Sequence, residues 1–471
     1  MSLVNKDAAG MRDHVTVMPL LPNKDEQRLL GFILIVFLLL TAISNFTIPL
    51  FEAPDEDDHY RFALWLAYGN GLPDLNQLVA QVGHEAWQTP LYYYLLSPVM
   101  RLANGGQPDE IAPRSVGYLA GYSIVTRIHS QAESWPYVGT SLAVHLARLI
   151  TSLFGVGTIL VTFGLARLIW PRAAWVAAAL VAFNPQFIYL SAAISNDVPA
   201  ACLAGLTMCW LVRGLHQDSI GKEWNIVLGI LAGLAVMTKL SNLVLVIPIG
   251  LALLLRLKPF RQTWRRILAD SMLLLIAFVS IAGWWFLSNW LRYHDWLAWQ
   301  PMLNLSVGLQ RGHLLNWFEA LQVSAGLLTS FWLNIGNGAP QFYLFFDVLM
   351  LAAAIGLGAW LWQQLRQHTR RVFVNVGLIA VWISLTFISL LQWMRLVRAT
   401  DQGRLLYPVI SGLAVLLAVG LMQIAWRKWS VAPVLVAGLF IAAALTPVLV
   451  TMPAYAQPRP LPMGEQLPNP R

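Results

Sequence analysis

Residues Phe51 to Pro73 read FEAPDEDDHYRFALWLAYGNGLP, and they follow the first long apolar run of the chain. Four acids, Asp55, Glu56, Asp57 and Asp58, stand in a row beside His59. Pro54 followed by Asp55 is a helix-start pattern. Asp55 can cap, and acids in a first turn suit the positive end of the helix dipole. One cap does not call for four carboxylates next to a membrane-length apolar segment. Asp55 and His59 are four residues apart, which predicts a shared face on the following helix. A carboxylate beside an imidazole can work as a general base or as a metal ligand. The surroundings of the acids therefore decide what the stretch does.

Those surroundings are membrane. Of the 471 residues, 57% are hydrophobic and 11% charged, against about 25% charged in soluble domains; the mean hydropathy is +0.60. Eleven apolar runs are expected to span, at about 29–50, 140–169, 172–191, 197–213, 224–238, 241–257, 267–290, 343–364, 372–394, 404–426 and 431–451. The expected fold class is an all-α polytopic membrane protein of about eleven transmembrane helices. Juxtamembrane helices are expected in its long first outer loop. The first run is too long for a cleaved leader and reads as a retained anchor. Cys202 and Cys209 sit seven residues apart in one run. On a helix that is about 10 Å, too far for a disulfide.

The basic residues orient the chain. A net charge of +8 would point to nucleic acid in a soluble protein. Here Arg167 and Arg172, Arg213 and Lys222, then Arg256, Lys258, Arg261, Arg265 and Arg266 all fall on one side. Arg366, Arg370, Arg371, Arg427 and Lys428 follow on that same side, which is the side of the N-terminus. Cytoplasmic loops collect Lys and Arg, so no nucleic-acid partner is expected. The reading is a multi-pass protein of the plasma (inner) membrane, with a cytoplasmic N-terminus and the C-terminus outside. Residues 51–138, with ten acids and four bases, then form an outer loop. Its run Trp87–Ala103 contains Pro90 and Pro98 and is read as an interfacial helix rather than a span. A Trp-rich second outer loop covers 291–342; its indoles suit an interfacial belt, or a lid. The expected organisation is 1–28 cytoplasmic, 29–290 transmembrane core with loop 51–138, 291–342 second outer loop, 343–451 C-terminal helices and 452–471 a Pro-rich tail.

Several polar residues then collect at the outer ends of the spans. His84, Glu85 and Gln88 open the interfacial run, with Asp55, His84 and Glu85 as candidate metal ligands, though no fixed ligand motif is present. Arg148 lies nineteen residues before Arg167, about 28 Å on a helix, and so near the outer boundary. An arginine there faces an anion or snorkels. Asp197 occupies the turn after the third run, where it can also cap the next helix. Lys239 occupies the turn after the fifth, and Arg395, Arg398 and Arg404 precede the tenth. Outer cations oppose the positive-inside trend and suit a lipid phosphate. Carboxylates nearby can deprotonate an acceptor. Together they form a constellation for group transfer from a lipid phosphate.

At these residues the chain resembles the GT-C glycosyltransferases of the protein O-mannosyltransferase and aminoarabinose-transferase type. The resemblance rests on APDEDDHYRFA, QTPLYYYLL, ARLITSLFGVGTILVTFGLARLIWP, NPQFIYLSAAISND, GLAVMTK and QGRLLYP, taken in order. TSFWLNIGNGAP and QGRLLYP are closest to a bacterial branch of that superfamily. The resemblance implies a catalytic base at Asp55, with Glu56 beside it, and a polyprenyl-phosphate sugar donor. It also implies substrate roles for Asp197 and Lys239. His59, Gln88, Arg148 and Arg404 complete the expected substrate-binding set. The expected reaction is an inverting displacement by an acceptor hydroxyl on a glycan, lipid or protein. A divalent metal is allowed and not required. A ligase using a lipid-diphosphate donor and a lipid-linked-sugar flippase are the rival readings. The flippase would show paired repeats and charges at mid-membrane.

Overall fold

The computed structural model describes residues 23–76, 82–107, 111–115, 125–217, 221–255, 264–305, 310–313, 315–335, 340–398, 400–426 and 429–456. The expected basic cluster at Arg256, Lys258 and Arg261, the pair Arg427 and Lys428, and most of the Pro-rich tail lie outside them. Helix α1 is Lys24–Thr47. It starts at a capping box in which Asn23 accepts from the Glu26 amide at 2.8 Å and Glu26 accepts in return at 3.0 Å. Helix α2 is Glu56–Ala67 and helix α3 is Leu91–Leu102. The long helix α4, Gly139–Ile169, is followed by a bent pair, Pro171–Ala182 and Pro185–Ser191. Then come α5 (Asp197–Leu215), α6 (Lys222–Thr238), the short apolar Leu240–Leu255, and α7 (Trp264–Tyr293). The C-terminal half holds α8 (Trp317–Trp332), α9 (Pro340–Arg366), α10 (Arg370–Leu396), Gly403–Gln423 and Ala432–Tyr455. A two-residue antiparallel ladder pairs Ala425–Trp426 with Trp429–Ser430.

Each expected apolar run forms helix, yet the expected count of eleven spans is not reached. Among the described residues eight helices are long and apolar enough to cross, or nine if the bent pair is one span. Helix α6, at 17 residues, and Leu240–Leu255 fall short. Helix α3 has 12 residues, about 18 Å, against a hydrocarbon layer of about 30 Å. It therefore cannot cross. Tyr92, Tyr93, Leu96 and Met100 bury one of its faces against α2 and α4.

The bend between Pro171–Ala182 and Pro185–Ser191 positions the site. Proline removes a helix hydrogen bond and biases the preceding residue towards extended backbone; Asn184 has φ −70° and ψ 115°. The Asn184 side chain caps the second segment at the Phe187 amide (3.0 Å) and donates to the Phe331 carbonyl (3.1 Å). The resulting 62° turn carries the chain to Ser191–Asp197, directly against the start of α2.

Candidate active site

The acidic row is built around a left-handed residue. Asp55 has φ 60° and ψ 11°, and its side chain makes no cap hydrogen bond, so the capping reading fails. A non-glycine residue held there costs on the order of 1–3 kcal/mol, although Asp tolerates it better than most. The turn aims the four acids in four directions. Asp55 Oδ2 accepts from Arg404 Nη2 at 2.5 Å, and its Oδ1 lies 3.5 Å from His84 Nε2. Asp57 accepts from Arg127 Nη2 at 2.7 Å. Asp58 pairs with His84 Nδ1 and also accepts from the His84 amide at 3.2 Å. Gly83 makes room for that carboxylate: at φ 84° a Cβ would meet Asp58 Oδ1 at 2.0 Å.

Glu56 is different in kind. Fully buried, it accepts from Arg148 Nε at 2.8 Å and Nη2 at 2.6 Å, and from the amides of Phe51 and Ile194 at 3.0 and 2.9 Å. Arg148 spends its remaining N–H groups on the carbonyls of Asn45, Ile48 and Pro49. All five guanidinium donors are used within the protein. Breaking such a buried pair costs about 3–5 kcal/mol. Expected as a second candidate base and a substrate-binding residue, Glu56 and Arg148 are here paired with each other and with backbone groups. The pair ties the end of α1, the start of α2, α4 and the turn before α5 into one joint.

His59, expected in the substrate-binding set, faces inward as well. It is buried, with Nδ1 2.8 Å from the Tyr93 hydroxyl. The imidazole that reaches Asp55 is His84, because Asp55 lies outside the helix on which a shared face with His59 was expected. Gln88 donates to Glu85 Oε2 at 2.7 Å and accepts from Asn196 at 3.0 Å. It holds its neighbours and shows no group to the cavity.

On the other wall the cations and acids alternate. Lys239 pairs with Asp197 Oδ1, Asp197 Oδ2 lies 3.5 Å from Arg404 Nη1, and Arg404 reaches Asp55. Gln402 holds the Arg404 Nε–H at 2.7 Å. Gly403 lets this turn sit directly on α8: a Cβ there would meet the Phe331 amide nitrogen at 2.2 Å, and its own N–H donates to Ser330 Oγ at 2.8 Å. The second Trp-rich loop therefore supports the site as well as carrying aromatics. Trp332 is buried against Phe346, while Trp317 is exposed.

A cavity of about 430 Å³ opens beside Asp55, Gln402 and Arg404, whereas Asp197 and Lys239 are buried and not among its lining residues. Asp55, His84 and Arg404 line one side; Arg114, Arg127 and Tyr455 line another. Burial disfavours the ionised form of Asp55, but Arg404 and His84 outweigh it and hold the carboxyl far below its usual range. Burial likewise opposes the imidazolium of His84, and the carboxylates of Asp55, Asp58 and Glu85 override it, raising its pKa well above the ordinary value. Glu85 is drawn down to about 2: burial raises it, and the charges of His59 and His84 more than reverse this. Asp55, His84 and Glu85 offer ligand atoms within 4.8 Å of one another. These are the three expected candidates, and one imidazole with two carboxylates suits a divalent transition ion. A proton on His84 and a cation in that cleft are mutually exclusive.

This architecture has known counterparts. ArnT from Cupriavidus metallidurans in the apo state is 16% identical, with a TM-score of 0.53; the same protein bound to undecaprenyl phosphate is 17% identical, with a TM-score of 0.54. The chain has the GT-C fold. Each alignment covers 89% of this chain and 65% of the ArnT chain, so the chain spans about two thirds of the ArnT length. Residues 114–266 match the profile of the dolichyl-phosphate-mannose-protein mannosyltransferase family. That stretch carries Arg148, Asp197 and Lys239. No curated protein matches the sequence.

Proposed function

We propose that the chain is a membrane glycosyltransferase moving a sugar from a polyprenyl-phosphate donor to an acceptor hydroxyl, with inversion. The row Lys239–Asp197–Arg404–Asp55, whose Arg404 and Asp55 end lines the cavity, supports this best. In the free protein, carboxylates occupy the two cations. A phosphate brings oxygens of the same charge and spacing, and it can engage Lys239 as a point charge and Arg404 through its planar fork. The fold likeness to ArnT, solved with undecaprenyl phosphate, supports a polyprenyl-phosphate ligand.

Donor binding then does two things. It places the scissile bond beside Asp55, and it draws Arg404 away from that carboxylate. With its partner engaged elsewhere, Asp55 becomes the stronger base. It takes the acceptor hydroxyl proton as the oxygen attacks the anomeric carbon. The bond to the lipid phosphate breaks, and the departing electron pair is stabilised by Lys239 and Arg404. The leaving phosphodiester needs no second carboxylic acid, unlike the leaving alcohol of glycoside hydrolysis. Glu56 and Arg148 hold the joint, His59 and Gln88 hold Glu85, and the reaction belongs to the outer face of the plasma membrane. The acceptor is a glycan, lipid or protein hydroxyl.

The test is transfer of labelled sugar from a panel of polyprenyl-phosphate donors by purified wild type and Asp55→Asn. Asn shares the tolerance of left-handed backbone, so the turn survives while the base is lost. Transfer is expected to fall about 10²–10⁴-fold, while the variant still melts cooperatively at a temperature lowered by loss of the ionised Asp55–Arg404 pair. Full activity in the variant would remove Asp55 from the mechanism. Transfer from lipid-diphosphate donors alone would favour the ligase.

A further inference from the structure

Among the described residues the charges around the cavity pair off closely, with Arg114 the most loosely matched of the lining cations. Asp57 takes Arg127, Asp55 takes Arg404, Glu52 takes His129 at 3.0 Å, and His84 is matched by Asp58 and Glu85. Arg114 also lines the cavity. Its side chain is 59% exposed, and its nearest carboxylate oxygen, on Asp57, is 3.9 Å away, beyond hydrogen-bond reach. Among the described residues its guanidinium donates to nothing.

Its backbone is nevertheless tied to the segment after Val125. Arg114 faces Arg127 in an antiparallel bridge, with the Ser115 amide donating to the Thr126 carbonyl at 2.9 Å and the Ile128 amide to the Pro113 carbonyl at 2.8 Å. Arg127 Nη1 donates to the Ala112 carbonyl at 2.7 Å. The amides of Thr126 and Arg127 are both held by the buried Glu52 carboxylate at 2.9 Å, three residues before Asp55. A guanidinium with open donors, fixed to the same frame as the reacting carboxylate, is pre-organised for a bidentate anion.

We propose that Arg114 is a specificity-determining residue that binds an anionic group, a carboxylate or a phosphate, carried by the acceptor or by the transferred sugar. This deepens the glycosyltransferase reading and rests on it for the identity of the substrates. The lipid phosphate is a separate anion, assigned to Lys239 and Arg404.

The experiment uses the purified full chain and three soluble probes, methyl glucuronide, glucose 6-phosphate and methyl glucoside, titrated by saturation-transfer NMR. The two anionic probes are expected to bind at least about tenfold more tightly than the neutral one. Arg114→Gln should abolish that difference, and Arg114→Lys should restore part of it. Binding of undecaprenyl phosphate and the melting temperature should stay unchanged in both variants. Equal binding of all three probes to the wild type, or an unchanged preference in Arg114→Gln, overturns the proposal. Failure to bind undecaprenyl phosphate overturns the donor assignment instead and leaves the Arg114 result readable. Charged and neutral acceptors, each paired with charged and neutral donors, then show which substrate carries the anion.

Discussion

At the scale of the residue, Asp55, the proposed base, is held by Arg404. The charge of Arg404 keeps the carboxyl ionised far below its ordinary value of 3.8. If the proposed transfer is measured, kcat/KM of the wild type should therefore show no acid limb from Asp55 at any pH where the protein stays folded. Arg404→Gln removes the main lowering charge, so the Asp55 pKa rises and an acid limb appears in the residual activity. That variant should also bind undecaprenyl phosphate at least about tenfold more weakly, because a charge-assisted bond is lost. An unchanged acid profile with unchanged lipid affinity would count against both roles of Arg404. Asp55, Asp197, Lys239 and Arg404 were readable from the sequence because each put a charge at the end of an apolar run. The partner of each was not readable. Asp58 meets His84 across 26 residues and Asp55 meets Arg404 across 349, and no local spacing encodes such closures. Arg127 carried one weak signal, being one of four bases in a loop of ten acids.

At the scale of the element, the apolar runs gave the helices and their order, since a span needs only length and absence of charge. The joint between them was hidden. Glu56 looked like one more acid in the row, and only burial against Arg148 distinguishes it. The segment after Val125 is a second joint. His129 lies between Glu52 at 3.0 Å and Glu133 at 3.0 Å, clipping this segment to the strand of chain that carries Asp55. Burial would lower the His129 pKa, but the carboxylates of Glu133 and Glu52 prevail and raise it to about 9, from an ordinary 6.5. A group raised on folding stabilises fully below its unfolded pKa and loses that contribution as pH rises through the folded value. The clip should thus be complete below pH 6.5 and lost through about pH 9. Melting temperature of the wild type is expected to fall across that window more steeply than that of His129→Asn, which has no proton to lose. Parallel slopes would show that the clip contributes nothing to stability.

At the scale of the whole molecule, every group assigned to the reaction gathers at one end of the bundle. The opposite end of α1 and α4 is marked by the Glu26–Arg167 pair at 2.6 Å. Arg148 and Arg167 are nineteen positions apart on α4, about 28 Å, close to the hydrocarbon thickness. The site end and the Arg167 end therefore stand at opposite membrane surfaces. The distribution of Lys and Arg favours a cytoplasmic Arg167 end, and the outer-face reaction proposed above rests on that orientation. This assignment depends on α3 staying on one side, and its 12-residue length supplies the reason. The orientation can be measured without any substrate. The cysteines to be removed are the free Cys202 and Cys209, replaced by alanine, and single cysteines are then placed at two exposed positions. Asn70 follows α2 at the site end, and Gln367 follows α9 at the other. In intact cells a membrane-impermeant maleimide should label Asn70→Cys and spare Gln367→Cys, with both labelled after permeabilisation. The reverse pattern would put the site in the cytoplasm and exclude an outer-face reaction. Labelling of both positions in intact cells would mean that residues 71–366 cross the membrane an even number of times, as they would if the bent pair Pro171–Ala182 and Pro185–Ser191 did not span, and would overturn the orientation read from the basic loops.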